Sequence, residues 1–150
     1  MTAPGRPGDL ERRLADLLDR QDISALLVRF ARCLDTKNFT GYADCYAPEG
    51  VLQLPRGGHK GRARMAEYVE RDLGGYVATH HVSAKHEIEI DGDTARARSS
   101  LHATHVRSTE DDFWSVGGWY DTTLRRTAEG WRFTRVSINP VWRFDTRQSP

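Results

Sequence analysis

Nothing in the chain approaches the run of about 20 apolar residues that a membrane-spanning helix needs. The opening stretch from Met1 to Asp9 has no apolar core like that of a secretory signal. Charge of one sign is missing too, since 22 basic residues face 21 acidic ones for a net charge of +1. That balance argues against a nucleic-acid or membrane-surface role driven by bulk electrostatics. Cysteine is scarce. The two present, Cys33 and Cys45, fall in predicted helices without metal-type spacing, which reads as two reduced, buried thiols in a cytoplasmic protein. No internal repeat is visible.

What remains is the composition of one ordinary soluble domain: 150 residues, 38 % hydrophobic and 29 % charged, enough to bury a core. Residues 1–8 hold two prolines and two glycines without periodicity and read as a loose tail, leaving a single domain over 9–147. Asp9 is the expected N-cap of a first helical segment carrying Leu10, Leu14, Leu17 and Leu18. Ile23, Leu26, Leu27, Phe30, Ala31 and Leu34 mark a second, amphipathic segment, with Asp19 or Asp22 as its cap. The 9–20 segment is expected to pack on it or on a second subunit. Residues 39–47 read as a short helix ended by Pro48-Glu-Gly50, 51–54 as a short strand, and 56–61 as a solvated turn. Residues 62–73 form a third helix, with Met65, Tyr68, Val69 and Leu73 facing inward.

From Tyr76 the period changes to two. Strands are predicted over 77–90, 93–107, 112–126 and 131–141, joined by Asp91-Gly92, 108–111 and 128–130. Three helices and a short strand followed by a meander make an α+β domain. A sheet this long must curl, and the helices then close one side of it to give a cone with an internal cavity.

Alternation sorts the histidines. On 93–107 the odd positions Ala95, Ala97, Ser99, Leu101, Ala103 and His105 form a small, apolar face, so His105 points in and His102 out. On 112–126, Trp114 and Tyr120 share one side and are candidate pocket walls, with the Tyr120 hydroxyl as a donor. On 77–90 strict alternation turns His80 and His86 inward, whereas a bulge between 81 and 88 would turn His81 inward instead. Pattern alone leaves the two open.

Asp35 closes the apolar helical face at Phe30–Phe39. A carboxylate there meets the negative end of the helix dipole and partial desolvation, both of which disfavour its charge. A histidine partner would stabilise it, and the carboxylate in return would orient the ring as a general base. On sequence pattern alone, Asp35-Thr-Lys-Asn38 reads first as a polar turn leaving the helix.

Six short motifs occur in order over about residues 20–145: 34–39, Tyr46-Ala-Pro48, Thr79-His-His-Val82, 90–95, Gly118-Trp-Tyr-Asp121 and Gly130-Trp-Arg-Phe133. On these the chain resembles the nuclear transport factor 2-like superfamily, in its SnoaL-like (polyketide cyclase and dehydratase) branch, which includes scytalone dehydratase. The resemblance implies a dyad of Asp35 with His81 rather than His80, and a second active-site histidine at His105. The two tyrosines that polarise the carbonyl in scytalone dehydratase fall here on Leu34 and Leu54, and its active-site asparagine falls on Tyr120. The proton-transfer pair is retained while the carbonyl-activating groups are not, so scytalone is not the expected substrate.

The expectation is a cofactor-independent acid–base enzyme, a dehydratase, cyclase or isomerase, acting on a hydrophobic molecule of polyketide or other secondary-metabolite type. Asp35, His81, His105 and Tyr120 would be catalytic, and Leu34, Leu54, Met65 and Trp114 would touch substrate. A second reading is a non-catalytic binding or assembly domain of the same fold. Under either, an exposed sheet face with Trp119, Trp131 and Arg135 suits a homodimer or higher oligomer. A metal site is disfavoured, because His102 and His105 have opposite parity and no Cys or carboxylate motif supports one.

Overall fold

The computed structural model describes residue 6 and residues 8–148, so the tail expected over 1–8 lies almost wholly outside the described residues. Helix α1 is Asp9–Asp35, α2 Phe39–Ala43 and α3 Met65–Leu73. The strands are β1 Tyr46–Gln53, β2 Gly58–Lys60, β3 Ala78–Asp91, β4 Thr94–Val106, β5 Phe113–Thr127 and β6 Gly130–Asp145. They form one mixed sheet in the order β2-β1-β6-β5-β4-β3, antiparallel except where β1 runs parallel to β6. The core lies between its inner face and the helices, around Ile23, Leu27, Phe30, Tyr46 and Phe133.

The two helical segments expected before Asp35 are one helix of 27 residues. Gln21 and Asp22 contain no breaker, so the helical ladder runs through them. Its cap is Gly8 in a left-handed conformation (φ 87°), not Asp9. Asp19 and Asp22 lie inside the helix, and Asp19 takes Arg126 and the Trp131 indole instead. Leu10, Leu14, Leu17 and Leu18 stay exposed and do not pack on the helix's own second half.

Two boundaries moved because the sheet captured their residues. The second helix stops at Ala43, since Tyr46 pairs with Phe133 in β6; Cys45 therefore sits in a turn, not a helix. The 56–61 turn contributes Gly58–Lys60 as an edge strand on β1. The third helix begins at Met65 rather than Arg62, and Arg64 before it is left-handed. Trp131, expected on the exposed sheet face, is buried beneath the Arg126 guanidinium, whereas Arg135 is exposed and Trp119 half-buried.

The curl has a local origin in bulges, two of which bear on the site. On β3 the pairing with β4 shifts between Ala84 and Glu87, and Lys85 there has φ 54°. On β6 the pairing with β5 shifts at Gly117 and Gly118, which oppose Trp142 and Pro140 and leave Val141 unmatched. Gly118 is required at that place, because a Cβ there would run into the Asn139 backbone carbonyl on the facing strand. Extra residues on one strand raise the local twist and bend the sheet around the helices.

Candidate active site

Asp35 is the last residue of α1, and α1 packs along β3. Its carboxylate accepts from the Thr79 hydroxyl (3.0 Å), the His81 backbone N–H (2.9 and 3.0 Å) and His81 Nδ1 (2.7 Å). Burial pushes the carboxyl pKa up, but the hydrogen bonds from the His81 ring and backbone, with Thr79, outweigh it and hold the group below its usual range. A carboxylate can only accept, so Nδ1 carries the proton and the lone pair of His81 lies on Nε2. Nε2 makes no hydrogen bond to the described residues, and the ring forms part of a cavity wall.

His81 is in phase with Asp35 because of the β3 bulge. Before it the odd positions Thr79, His81 and Ser83 turn inward; after it His86, Ile88 and Ile90 do. His80 is exposed and stands in a shallow outer groove with Arg32 and Asp35.

The cavity is about 590 Å³ and mostly apolar. Leu34, Leu54, His81, His105, Trp114 and Tyr120 all line it, together with Phe30 and Tyr42 from the helical side. Two expected residues do not. Met65 stands one turn before the α3 residues that reach the cavity and is sealed in the core, fully buried. Asp35 stands behind His81 and opens to the outer groove, so the ring alone connects it to the cavity.

His105 is only 3 % exposed, edge-on to His81 with ring centroids 5.2 Å apart and stacked flat on Trp114 at 3.8 Å. Its Nδ1 has no hydrogen-bond partner among the described residues. Burial, with the neighbouring His81, lowers its pKa to about 4, so it is neutral at physiological pH. Burial also raises the Tyr120 pKa, keeping a protonated hydroxyl donor in the wall. The phenols of Tyr42 and Tyr46 share a hydrogen bond of 2.8 Å beneath it.

The sequence reading missed three supports. Thr79 lies in a quoted motif but draws attention only once the odd positions are known to face in. Tyr76 accepts the Trp114 indole N–H (2.8 Å) and pins the ring that stacks on His105. Arg143 covers the other side of Trp114, its guanidinium 4.4 Å from the ring centroid, and reaches the cavity. Tyr76 precedes β3, and Arg143 lies past both the β6 bulge and the strand end expected at 141, so alternation places neither. Among the described residues, no group of three or more His, Cys, Asp or Glu is arranged to hold a metal ion. His102 is on the outer face against Trp142.

A family model described as a SnoaL-like domain matches residues 15–137. The uncharacterized protein Rv2910c of Mycobacterium tuberculosis is 27 % identical over 125 residues, covering 81 % of this chain and 85 % of that one. An NTF2-like protein with a cystatin-like fold from Novosphingobium aromaticivorans superposes with a TM-score of 0.72 at 24 % identity, covering 89 % of this chain and 90 % of that one. A type 2 hexachlorocyclohexane dehydrochlorinase, LinA, superposes with a TM-score of 0.80 at 15 % identity, covering 89 % and 92 %. At these identities the two structures establish the fold and nothing finer.

Proposed function

The chain belongs to the SnoaL-like domain family, and from that premise we propose that its cavity is the active site of a cofactor-independent acid–base enzyme. The observation that carries this reading is a carboxylate-bound imidazole, Asp35 to His81 at 2.7 Å, with its second nitrogen at the wall of an apolar cavity. His81 Nε2 takes a proton from a carbon next to a carbonyl, and Asp35 stabilises the imidazolium so formed. The carbon's electron pair moves onto the carbonyl oxygen, and the Tyr120 hydroxyl, which lines the cavity, donates a hydrogen bond to it. Collapse of that enolate either expels a leaving group from the next carbon or closes a ring. In a dehydration the proton goes back to the departing hydroxide and leaves as water. Dehydration, cyclisation and isomerisation share the first step.

The substrate is a hydrophobic, ring-bearing molecule of polyketide or other secondary-metabolite type. Phe30, Tyr42 and Trp114 offer it flat walls, and few polar groups hold it. LinA carries the name of a dehydrochlorinase, so the same fold is compatible with an elimination.

The test is solvent exchange in D₂O. A panel of cyclic β-hydroxy ketones is incubated with the wild type, His81→Ala and Asp35→Asn, and deuterium uptake at the α-carbon is followed by NMR. Wild-type uptake that both variants lose is the expected result. Uptake that survives in both removes the dyad from the mechanism.

A further inference from the structure

His81 and His86 both hydrogen-bond α1-side partners, yet they are five residues apart on one strand. An odd separation on a regular strand puts side chains on opposite faces. The bulge resolves this, because Lys85 and His86 together oppose Ser99, and parity reverses across them. Lys85 takes a left-handed backbone conformation there, one that a side-chain-bearing residue adopts only when its surroundings enforce it.

The enforcing groups are visible. His86 Nδ1 is 2.7 Å from the Ser24 hydroxyl on α1. His86 Nε2 lies 3.2 Å from the Ser83 carbonyl and 3.3 Å from the Ser83 hydroxyl. Ser83 in turn donates to the Ser99 hydroxyl (2.9 Å), and Ser99 is fully buried opposite the bulge. A carbonyl only accepts, so Nε2 carries the proton and Nδ1 accepts from Ser24. Ser24, His86 and Ser83 then each donate to the next group, and the chain ends on the Ser99 hydroxyl.

The spacing matches at both ends. Ser24 and Asp35 are eleven residues apart, about three helical turns and about 16 Å, so they share one face of α1. Five residues of strand from His81 to His86 cover about the same length. The helix is therefore fastened to the strand on both sides of the bulge, at Asp35–His81 before it and at Ser24–His86 in it, with Arg20 reaching the Ile88 carbonyl one helical turn further back.

We infer that the Ser24–His86–Ser83 clamp is a positioning device that holds the β3 bulge and thereby sets His81, rather than His80, against Asp35. Its consequence for turnover rests on the proton-transfer reading above; its geometry does not. His86 does not line the cavity.

Proton NMR at low temperature reads the device without any substrate. The Nδ1 proton of His81 in its short bond to Asp35 gives a low-field signal, assigned by its disappearance in Asp35→Asn. Ser24→Ala, His86→Ala and Lys85→Val are each expected to lose that signal while circular dichroism stays native, because each removes a clamp bond or disfavours the left-handed residue. Lys85→Gly, which suits φ 54° better than lysine, is expected to keep it. Should His86→Ala fail to fold, Ser24→Ala, which deletes one surface-proximal hydroxyl, decides alone. Once a substrate is in hand, folded clamp variants should lose about tenfold in kcat at unchanged KM, the mark of a misplaced base. A wild-type signal in Ser24→Ala or in folded His86→Ala and Lys85→Val overturns the clamp and leaves the dyad standing. Absence of turnover with a signal that responds as expected overturns the enzyme reading and leaves the clamp.

Discussion

Two neighbouring strands of the cavity wall, β3 and β4, each present a histidine, ring centroids 5.2 Å apart, in opposite surroundings. On β3, beside α1, His81 is tied to a carboxylate that is itself held by Thr79 and by backbone. On β4, His105 stacks on an indole and has a ring nitrogen without a partner among the described residues, and its pKa falls to about 4. The difference shows how one residue type serves two purposes. A carboxylate prepares an imidazole to accept a proton, while desolvation forbids the same ring to become charged and leaves it a neutral polar wall.

The harshest way to break the comparison is to remove the charged side of it. His81→Ala is expected to reduce kcat/KM by about 10³-fold and Asp35→Asn by about 10²-fold, as suits a base and the group that orients it. Because they act as a unit, the double variant should fall no further than His81→Ala. Steady-state kinetics on all three checks this. Losses that multiply would mean that Asp35 acts independently of the ring.

The uncharged side makes its mark on stability. The folded pKa of His105 lies below the ordinary value of 6.5, at about 4. Between those values the unfolded chain binds a proton that the folded one refuses, so stability is full above pH 6.5 and falls as pH drops towards 4. The loss is about 3 kcal/mol at most. His105→Phe keeps a ring on Trp114 and deletes the titration. Urea denaturation from pH 7 to 4 should slope for the wild type and flatten for this variant. Asp35 contributes at lower pH: its carboxyl is held below 3.8, so its stabilisation is present above that value and is lost only as pH falls further. Equal slopes in the two proteins would show that His105 takes up protons freely.

How far the sequence revealed these two histidines depends on whether a strand was regular. β4 is regular, and its small odd-numbered side chains place His105 inward with no other information. β3 is not, and nothing in the letters 77–90 marks Lys85 as the residue that reverses parity, since a lysine is an unusual choice at positive φ. His81 therefore emerged from likeness to a family and not from pattern. The helix boundaries at Ala43 and Asp19–Asp22 erred for a related reason. Local propensity cannot see that Tyr46 will pair with Phe133, or that Asp19 will receive Arg126 from a strand over 100 residues away. Met65 failed as a substrate residue because "inward" on a helix covers both core and cavity, and only three dimensions separate them.

The finest adjustment concerns Thr79, which gives Asp35 one of its four hydrogen bonds. Its contribution to lowering the carboxyl pKa is the smallest of those acting, behind the His81 ring and backbone. Thr79→Val keeps shape and removes only the hydroxyl, so Asp35 retains its bonds to His81. The expected cost is about 1 kcal/mol of stability and a reduction in turnover of about threefold, with Thr79→Ser close to wild type. Chemical denaturation and kinetics measure both. If Thr79→Val proved as damaging as Asp35→Asn, the hydroxyl would be what fixes the carboxylate's direction. The two histidines would then differ less in having a charged partner than in having a second residue to aim it.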